Sequence, residues 1–332
     1  MRSKPLVSIL IPTFNQHPDH LRACLDSAIA QDYSDVEVVI SDNHSTGPAS
    51  KVITEYAHPR VRVVKPPAFM TMTENFAFCA RAGRGDYFSL LASDDLLVPS
   101  AISSLMAVVT AHPEVAFCCG NIIRSQRYPS PELLEACLIR PSQQPSRIYS
   151  PEEAGAFFFP WRLASTWMAG DLIRRTAYEA TGGFEKCVLS IGSDIWLTGC
   201  LLKQGSFAYL SEPLAFFRAR PSDYVDVDPG RRLLEFSDTL LLSTAEDLSL
   251  VGRIRRWIHH VHLIDRVPQP TESMVGSCER ACVSLRVGGR PDLARALAFY
   301  RRHPMVWQVL ARLVGPPIRL RTWWLERRSG IE

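Results

Sequence analysis

Apolar residues occur along the first hundred positions in two alternating rhythms. The short β-branched runs are Leu6–Ile11, Val36–Ser41, Val61–Val64 and Tyr87–Ala92. Each reads as a buried strand, because a continuous apolar run rich in Val and Ile fits the interior of a sheet. Between them the spacing becomes helical. After Pro18, residues Leu21, Cys24, Leu25, Ala28 and Ile29 fall on one face. Ala49–Ala57 and Met72–Ala82 repeat that spacing, the second with Phe76, Cys79 and Ala80 apolar. Strand alternating with helix predicts an α/β fold built on a doubly wound, mostly parallel sheet.

The polar residues that end these runs carry the candidate chemistry. Ligands of open α/β sheets bind beyond the carboxyl ends of the strands. The first run ends on Pro12-Thr13-Phe14-Asn15, the second on Asp42-Asn43, and the fourth on Ser93-Asp94-Asp95. Adjacent hard oxygen donors suit Mg²⁺ or Mn²⁺ bridging to substrate phosphates. Each acid also has a plain structural reading. Asp94 would cap a helix opening near Val98-Pro99-Ser100, and Asp42 would close an Asx-turn. No Gly-x-Gly-x-x-Gly follows the first run, and no Gly-x-x-x-x-Gly-Lys-Ser/Thr occurs. A dinucleotide site and a P-loop are therefore disfavoured.

Leu6–Asn15, Val38–Thr46 and Gly85–Asp95 together resemble the nucleotide-binding half of family 2 glycosyltransferases, which have the GT-A fold. Asn75 matches an Asn that the family often carries before the acidic strand. Trp167–Phe184 and Ser193–Gly205 extend the resemblance, which covers roughly residues 5–220. It implies an inverting, metal-dependent transfer from a nucleotide sugar, in the first instance a UDP-sugar. The implied acceptor is a hydroxyl of a glycan or lipid-linked sugar in bacterial cell-surface polysaccharide synthesis. By the same resemblance Pro12, Thr13, Asn15 and Asn75 lie near the nucleoside. Asp42 meets the base edge, where a carboxylate accepts from a ring or exocyclic N–H. Asp94 contacts the ribose, and Asp95 binds Mg²⁺ or Mn²⁺.

Asp194 is the implied general base. It opens a helical run, where the macrodipole keeps a carboxylate ionised, as a base must be. An ordinary N-cap is the alternative. Two positions depart from the family pattern. Ser193-Asp194 stands where relatives have Glu-Asp, and Arg220 stands at about the place of a common His. Arg220 is either a charge-assisted contact to the diphosphate or a solvated cation. Asn121–Trp161, rich in Pro, Ser and Gln, is expected to be irregular and to build the acceptor side. Trp161 and Trp167 are candidate sugar-stacking groups, with core packing as the alternative.

Helical spacing resumes beyond Asp228. The expected organisation is a catalytic domain over 1–228, a helical extension over 229–302 and a basic amphipathic tail over 303–332. From Arg286 onward ten arginines face three carboxylates, a local charge of +7, which leaves −4 for the rest of a chain whose net charge is +3. Trp307, Trp323 and Trp324 interleaved with arginine suit an anionic membrane surface. Packing on the catalytic domain and a dimer contact are the alternatives. The net charge is too small to imply nucleic acid. No run approaches the roughly 18 apolar residues of a transmembrane helix. Nine cysteines in apolar settings, with no visible leader, predict a reducing cytoplasmic setting, peripheral on the membrane if the tail binds lipid. Two other functions stay open. One is a non-catalytic nucleotide-binding or scaffolding relative, suggested by Ser193 and Arg220. The other is a sugar nucleotidyltransferase, disfavoured because Leu6–Asn15 lacks a Gly-rich basic loop.

Overall fold

The computed structural model describes residues 4–125, 145–151, 153, 169–187 and 193–218. The chain divides into two units, Met1–Arg220 and Pro221–Glu332. The second unit lies outside the described residues. So do Trp161, Trp167 and Arg220, and with them the helical extension and the basic tail.

Three parallel strands open the chain. They are β1 (Val7–Thr13), β2 (Val36–Asp42) and β3 (Val61–Val64), followed by β4 (Tyr87–Leu90) beside β1. Helices α1 (Pro18–Ile29), α2 (Gly47–Glu55) and α3 (Met72–Ala82) connect them. Then come β5 (Leu96–Leu97), α4 (Ala101–Ala111), β6 (Val115–Ser125), β7 (Arg147–Tyr149) and β8 (Asp171–Arg174). The described unit closes with α5 (Arg175–Thr181), a short 3₁₀ turn at Phe184–Lys186, α6 (Ser193–Leu201) and β9 (Ser206–Arg218). The nine described strands form one sheet in the order β3-β2-β1-β4-β8-β6-β9-β5, with β7 also on β9. β8 is antiparallel to both β4 and β6, while β6 and β9 are parallel. Strands β1 to β4, β6 and β9 therefore run the same way and end on one edge.

Both faces of the sheet are covered, which is why its strands read as continuous apolar runs. Successive side chains alternate between the faces. Val7, Ile9 and Ile11 pack with Leu21, Leu25 and Ala28 of α1 and Ile102 and Leu105 of α4. Leu10, Phe88 and Leu90 pack with Ala77 and Ala80 of α3, Tyr178 of α5 and Trp196 of α6.

Two strands run further than their sequence suggests. β1 continues through Pro12, which has no N–H to give. Leu10 presents its carbonyl to Leu91, so Pro12, two residues on, faces the same side. The β1–β4 ladder has already stopped at Leu10, and the missing donor falls on an open edge. β9 continues through Pro213 because that residue sits at a register shift opposite Asn121. Gly120 makes room there, since a Cβ at that position would lie 2.3 Å from Leu214. The segment expected to be irregular from Asn121 is thus partly strand: β6 runs on to Ser125, and β7 pairs with β9.

Candidate functional site

The loop after β1 and the turn after β2 are laced together. The Asn43 N–H donates to the Thr13 carbonyl at 2.9 Å. Asn15 adopts a positive φ of 46°, which Asn tolerates better than most residues. Its N–H donates to Ser45 Oγ at 3.0 Å, and its Oδ1 accepts from the Thr46 N–H at 2.8 Å. Asp42 is buried, and its Oδ1 accepts from the Ser45 N–H at 2.8 Å. The Asx-turn expected as an alternative does not form, because the His44 N–H donates to the Asp42 backbone carbonyl at 2.8 Å and the side chain takes the next N–H along. That side-chain bond uses one carboxylate oxygen, and Oδ2 has no partner among the described residues. Thr13 Oγ1 is buried and also lacks a partner there. Buried polar atoms are nearly always hydrogen-bonded, so an orphan at a strand end points to a ligand. Pro12 is buried within β1. Asn75 is buried one layer back. Its Oδ1 accepts from Ser41 Oγ at 2.6 Å, so α3 holds the end of β2 next to Asp42.

Asn43 clasps the loop before α3. Its Nδ2 donates to the Met70 carbonyl at 2.8 Å, and its Oδ1 accepts from the Met70 N–H at 2.9 Å. This brings Phe69 against Phe14, edge to face with ring centroids 4.9 Å apart. Both rings are open to solvent, 48% exposed at Phe14 and 62% at Phe69. Neither ring is a polar end to an apolar run, so neither is marked by the pattern that marks the acids. The available signal was two large apolar residues inside otherwise polar, Pro-rich loops.

The acidic turn lies beside these loops. Leu91 donates to the Leu10 carbonyl, and the Asp95 N–H turns back to the Ala92 carbonyl at 2.9 Å. Asp94 and Asp95 are both buried. α4 opens only at Ala101, so Asp94 does not cap it. Asp94 is instead paired with Arg218, at the end of β9. Nε and an Nη of Arg218 reach Asp94 Oδ2 at 3.1 and 2.9 Å. The Arg218 backbone N–H donates to Asp95 Oδ1 at 2.9 Å. Gln16 Nε2 reaches Ser93 Oγ at 3.2 Å and ties the first loop to this turn. Cys24 lies behind it, donating to the Ala92 carbonyl at 3.5 Å. Burial, then the charges of Asp95 and Asp94, push its thiol well up. Arg218 had no place in the sequence reading, because Pro213 hid the strand that delivers it.

A divalent cation fits this edge in one way. Among the described residues no group of three or more His, Cys, Asp or Glu surrounds an ion. Mg²⁺, however, is commonly held by one or two carboxylates and completed by substrate phosphates and water. Asp95 supplies a hard oxygen donor of that kind at the strand ends.

Asp194 stands in the first turn of α6, half-buried, with Trp196 and Leu197 anchoring the helix in the core. Asp171, at the start of β8, carries no local sequence signal of function. Burial pushes its carboxyl up to about 7, against the opposing hydrogen bonds from the Leu90 N–H and the Ser89 hydroxyl. A raised carboxyl binds its proton more tightly folded than unfolded, so its stabilisation is lost as pH rises from about 4 to about 7. Between pH 5.0 and 7.5 the native chain is expected to lose about 2 kcal/mol relative to Asp171→Asn, which cannot titrate. Urea midpoints of both chains at the two pH values check this. Parallel changes in the two would show that Asp171 is ionised throughout.

The sheet order, the orphaned Thr13 hydroxyl and the acidic turn agree with the GT-A-type domain that the sequence resembles. The sequence profile of Glycosyl transferase family 2 matches residues 8–180, and the chain belongs to that family. The chondroitin synthase of Escherichia coli is 39% identical over 105 residues, which is 31% of this chain and 15% of that protein. The chain spans less than half the length of the curated relatives it matches. Staphylococcus aureus TarS 1–349, in complex with UDP-GlcNAc, superposes with a TM-score of 0.55 at 14% identity, over 90% of this chain and 92% of that one. The mannosyltransferase PcManGT from Pyrobaculum calidifontis, in complex with GDP-Man and Mn²⁺, gives 0.53 at 16% identity, over 97% and 88%. At that identity the two structures establish the fold. No described helix is long and apolar enough to cross a membrane.

Proposed function

We propose that this chain is an inverting, metal-dependent glycosyltransferase whose donor is a UDP-sugar. Its acceptor is a hydroxyl of a glycan or lipid-linked sugar, in the assembly of cell-surface polysaccharide. The observation that carries this is the convergence of Thr13, Asp42, Asp94 and Asp95 on one sheet edge, with Thr13 Oγ1 buried and unpartnered. On this reading Asp42 Oδ2 accepts from the base, and Asp94 meets the ribose. Phe14, exposed beside Asp42, offers a flat face to the base. UDP-GlcNAc in TarS makes uridine the first base to test, and GDP-Man in PcManGT makes guanosine its comparison. Residues 1–228 form the catalytic domain, and 303–332 place it at a membrane surface where a lipid-linked acceptor is found.

The chemistry is a single displacement. An acceptor hydroxyl attacks the anomeric carbon as its proton passes to the Asp194 carboxylate. The bond to the diphosphate oxygen breaks, and the nucleoside diphosphate leaves with that electron pair. A cation held by Asp95 supplies charge stabilisation to the leaving diphosphate when bound. Arg218 keeps the carboxylates of the turn in place. The topology favours Asp194 for its role. α6 hands over to β9 within four residues, and β9 begins on the edge opposite the turn. A helix of this length rises about 13 Å, enough to return its N-terminus to the strand ends when it runs antiparallel to β9.

Thermal stabilisation by nucleotides tests the reading without an acceptor. UDP or UDP-GlcNAc with Mn²⁺, at a hundred times its dissociation constant, adds about 2.7 kcal/mol, or about 5–10 °C. Asp95→Ala is expected to lose the Mn²⁺-dependent part. A shift with no nucleoside diphosphate at all would overturn the donor site, and an equal shift with GDP would overturn the choice of uridine.

A further inference from the structure

Asp171 is buried to 4% exposure and has no part in the displacement. Its neighbours show what it does. Backbone pairing between β4 and β8 covers only Tyr87 with Arg174 and Phe88 with Ile173. At Leu90 the ladder has stopped, and the Leu90 N–H donates to Asp171 Oδ1 at 3.0 Å. Ser89 Oγ reaches the same oxygen at 3.3 Å. A side-chain oxygen thus stands in for a strand carbonyl at the last position of β4.

The next residues make the consequence plain. The Leu91 N–H crosses to Leu10 of β1, and the Asp95 N–H turns back to Ala92. A main-chain partner at Leu90 would carry β4 onward beside β8 in extended form. A side-chain acceptor satisfies the buried donor and lets the chain leave the ladder. The polar and titratable groups around Asp171 do not compete for this role. Ser89 on β4 donates to it. Cys118 and Cys119 on β6 are thiols that burial, and then neighbouring groups including Asp171, push well up. Arg174, further along β8, donates to the Val115 carbonyl and lies over the Tyr87 ring.

We infer that Asp171 is a positioning residue for the donor site, its Oδ1 fixing the end of β4 and thereby the Asp94–Asp95 turn. The inference rests on the glycosyltransferase reading of that turn.

The test is titration of UDP with Mn²⁺ into the full chain, its Asp171→Ala variant and its Asp171→Asn variant, well below the Tm of each. Asp171→Ala is expected to raise the dissociation constant at least tenfold. Asp171→Asn keeps an oxygen acceptor and stays within threefold of the native chain. An Asp171→Ala chain with lowered Tm but unchanged affinity marks a residue that only stabilises the sheet, and overturns the inference. So does an equal loss in both variants. Should Asp171→Ala fail to fold, amide exchange at Leu90 decides: slow exchange in the native chain and in Asp171→Asn supports the assignment, and fast exchange at Leu90 beside a protected Phe88 overturns it. A native chain that binds no nucleoside diphosphate overturns the glycosyltransferase reading and this inference with it. Binding by the native chain that Asp171→Ala matches overturns this inference alone.

Discussion

Asp194→Asn is expected to lower sugar transfer by 10²- to 10⁴-fold while leaving UDP affinity within a factor of two. That range is the usual contribution of a positioned general base. Asn keeps the size and hydrogen-bonding shape of Asp but takes no proton at neutral pH. The comparison separates the two readings of this residue sharply. α6 opens at Ser193, so Asp194 stands inside its first turn rather than at the cap, where a carboxylate supports the helix through its dipole by about 0.3–1 kcal/mol. If that is its only part, Asp194→Asn loses a degree or two of Tm and keeps its activity. If it is the base, turnover falls. Retained turnover in Asp194→Asn would remove it from the mechanism and return the search to the acceptor side. Ser193 precedes Asp194, so no second carboxylate adjoins it from that position.

The second large effect belongs to Arg218. Its guanidinium makes two contacts with Asp94 Oδ2, and the pair is largely shielded, with 15% of the Arg218 and 7% of the Asp94 side chain exposed. Arg218→Met removes the cation and keeps most of the volume. Taking one partner from a buried ion pair costs about 3 kcal/mol, because the remaining charge stays out of water without its counterion. For a unit of this size that is about 6–12 °C in Tm. Asp94→Asn in the same chain is expected to recover a large part of the loss, since a neutral amide needs no counterion. Arg218→Lys keeps the charge and gives up the fork, so it falls between the two. A Tm for Arg218→Met within a degree of the native chain would show that water already supplies what the guanidinium gives. Failure of Asp94→Asn to relieve the loss would place the effect in β9 packing instead.

The elements whose order the sequence disclosed are those built from local pattern alone. β3 and α3 occupy the residues expected, Val61–Val64 and Met72–Ala82. In α3 the reason is visible: Thr71 and Glu74 form a capping box that fixes the start. α2 begins at Gly47, two residues before the expected Ala49, because Pro48 is tolerated in the first turn. What could not be read depends on partners distant in the chain. β5 is two residues long and exists only through its pairing with β9. Pro213 looks like a strand end until the bulge opposite Asn121 is seen. The same divide runs through the site. Asp42, Asp94 and Asp95 are legible because each follows an apolar run. Arg218 meets Asp94 across 124 positions of chain, and Asp171 meets Leu90 across 81. No local pattern announces either contact.

The Asn43 clasp on Met70 has a thermodynamic consequence. Loops that line a binding site often order themselves around the ligand, and affinity falls by the conformational entropy lost in doing so. Here one amide side chain satisfies both backbone groups of Met70, as a neighbouring strand would. The loop carrying Phe69 is therefore ordered when the chain folds, before any nucleotide arrives. The docking of Phe69 against Phe14 is a property of the empty protein, and a ligand entering between the two loops meets a surface already at rest.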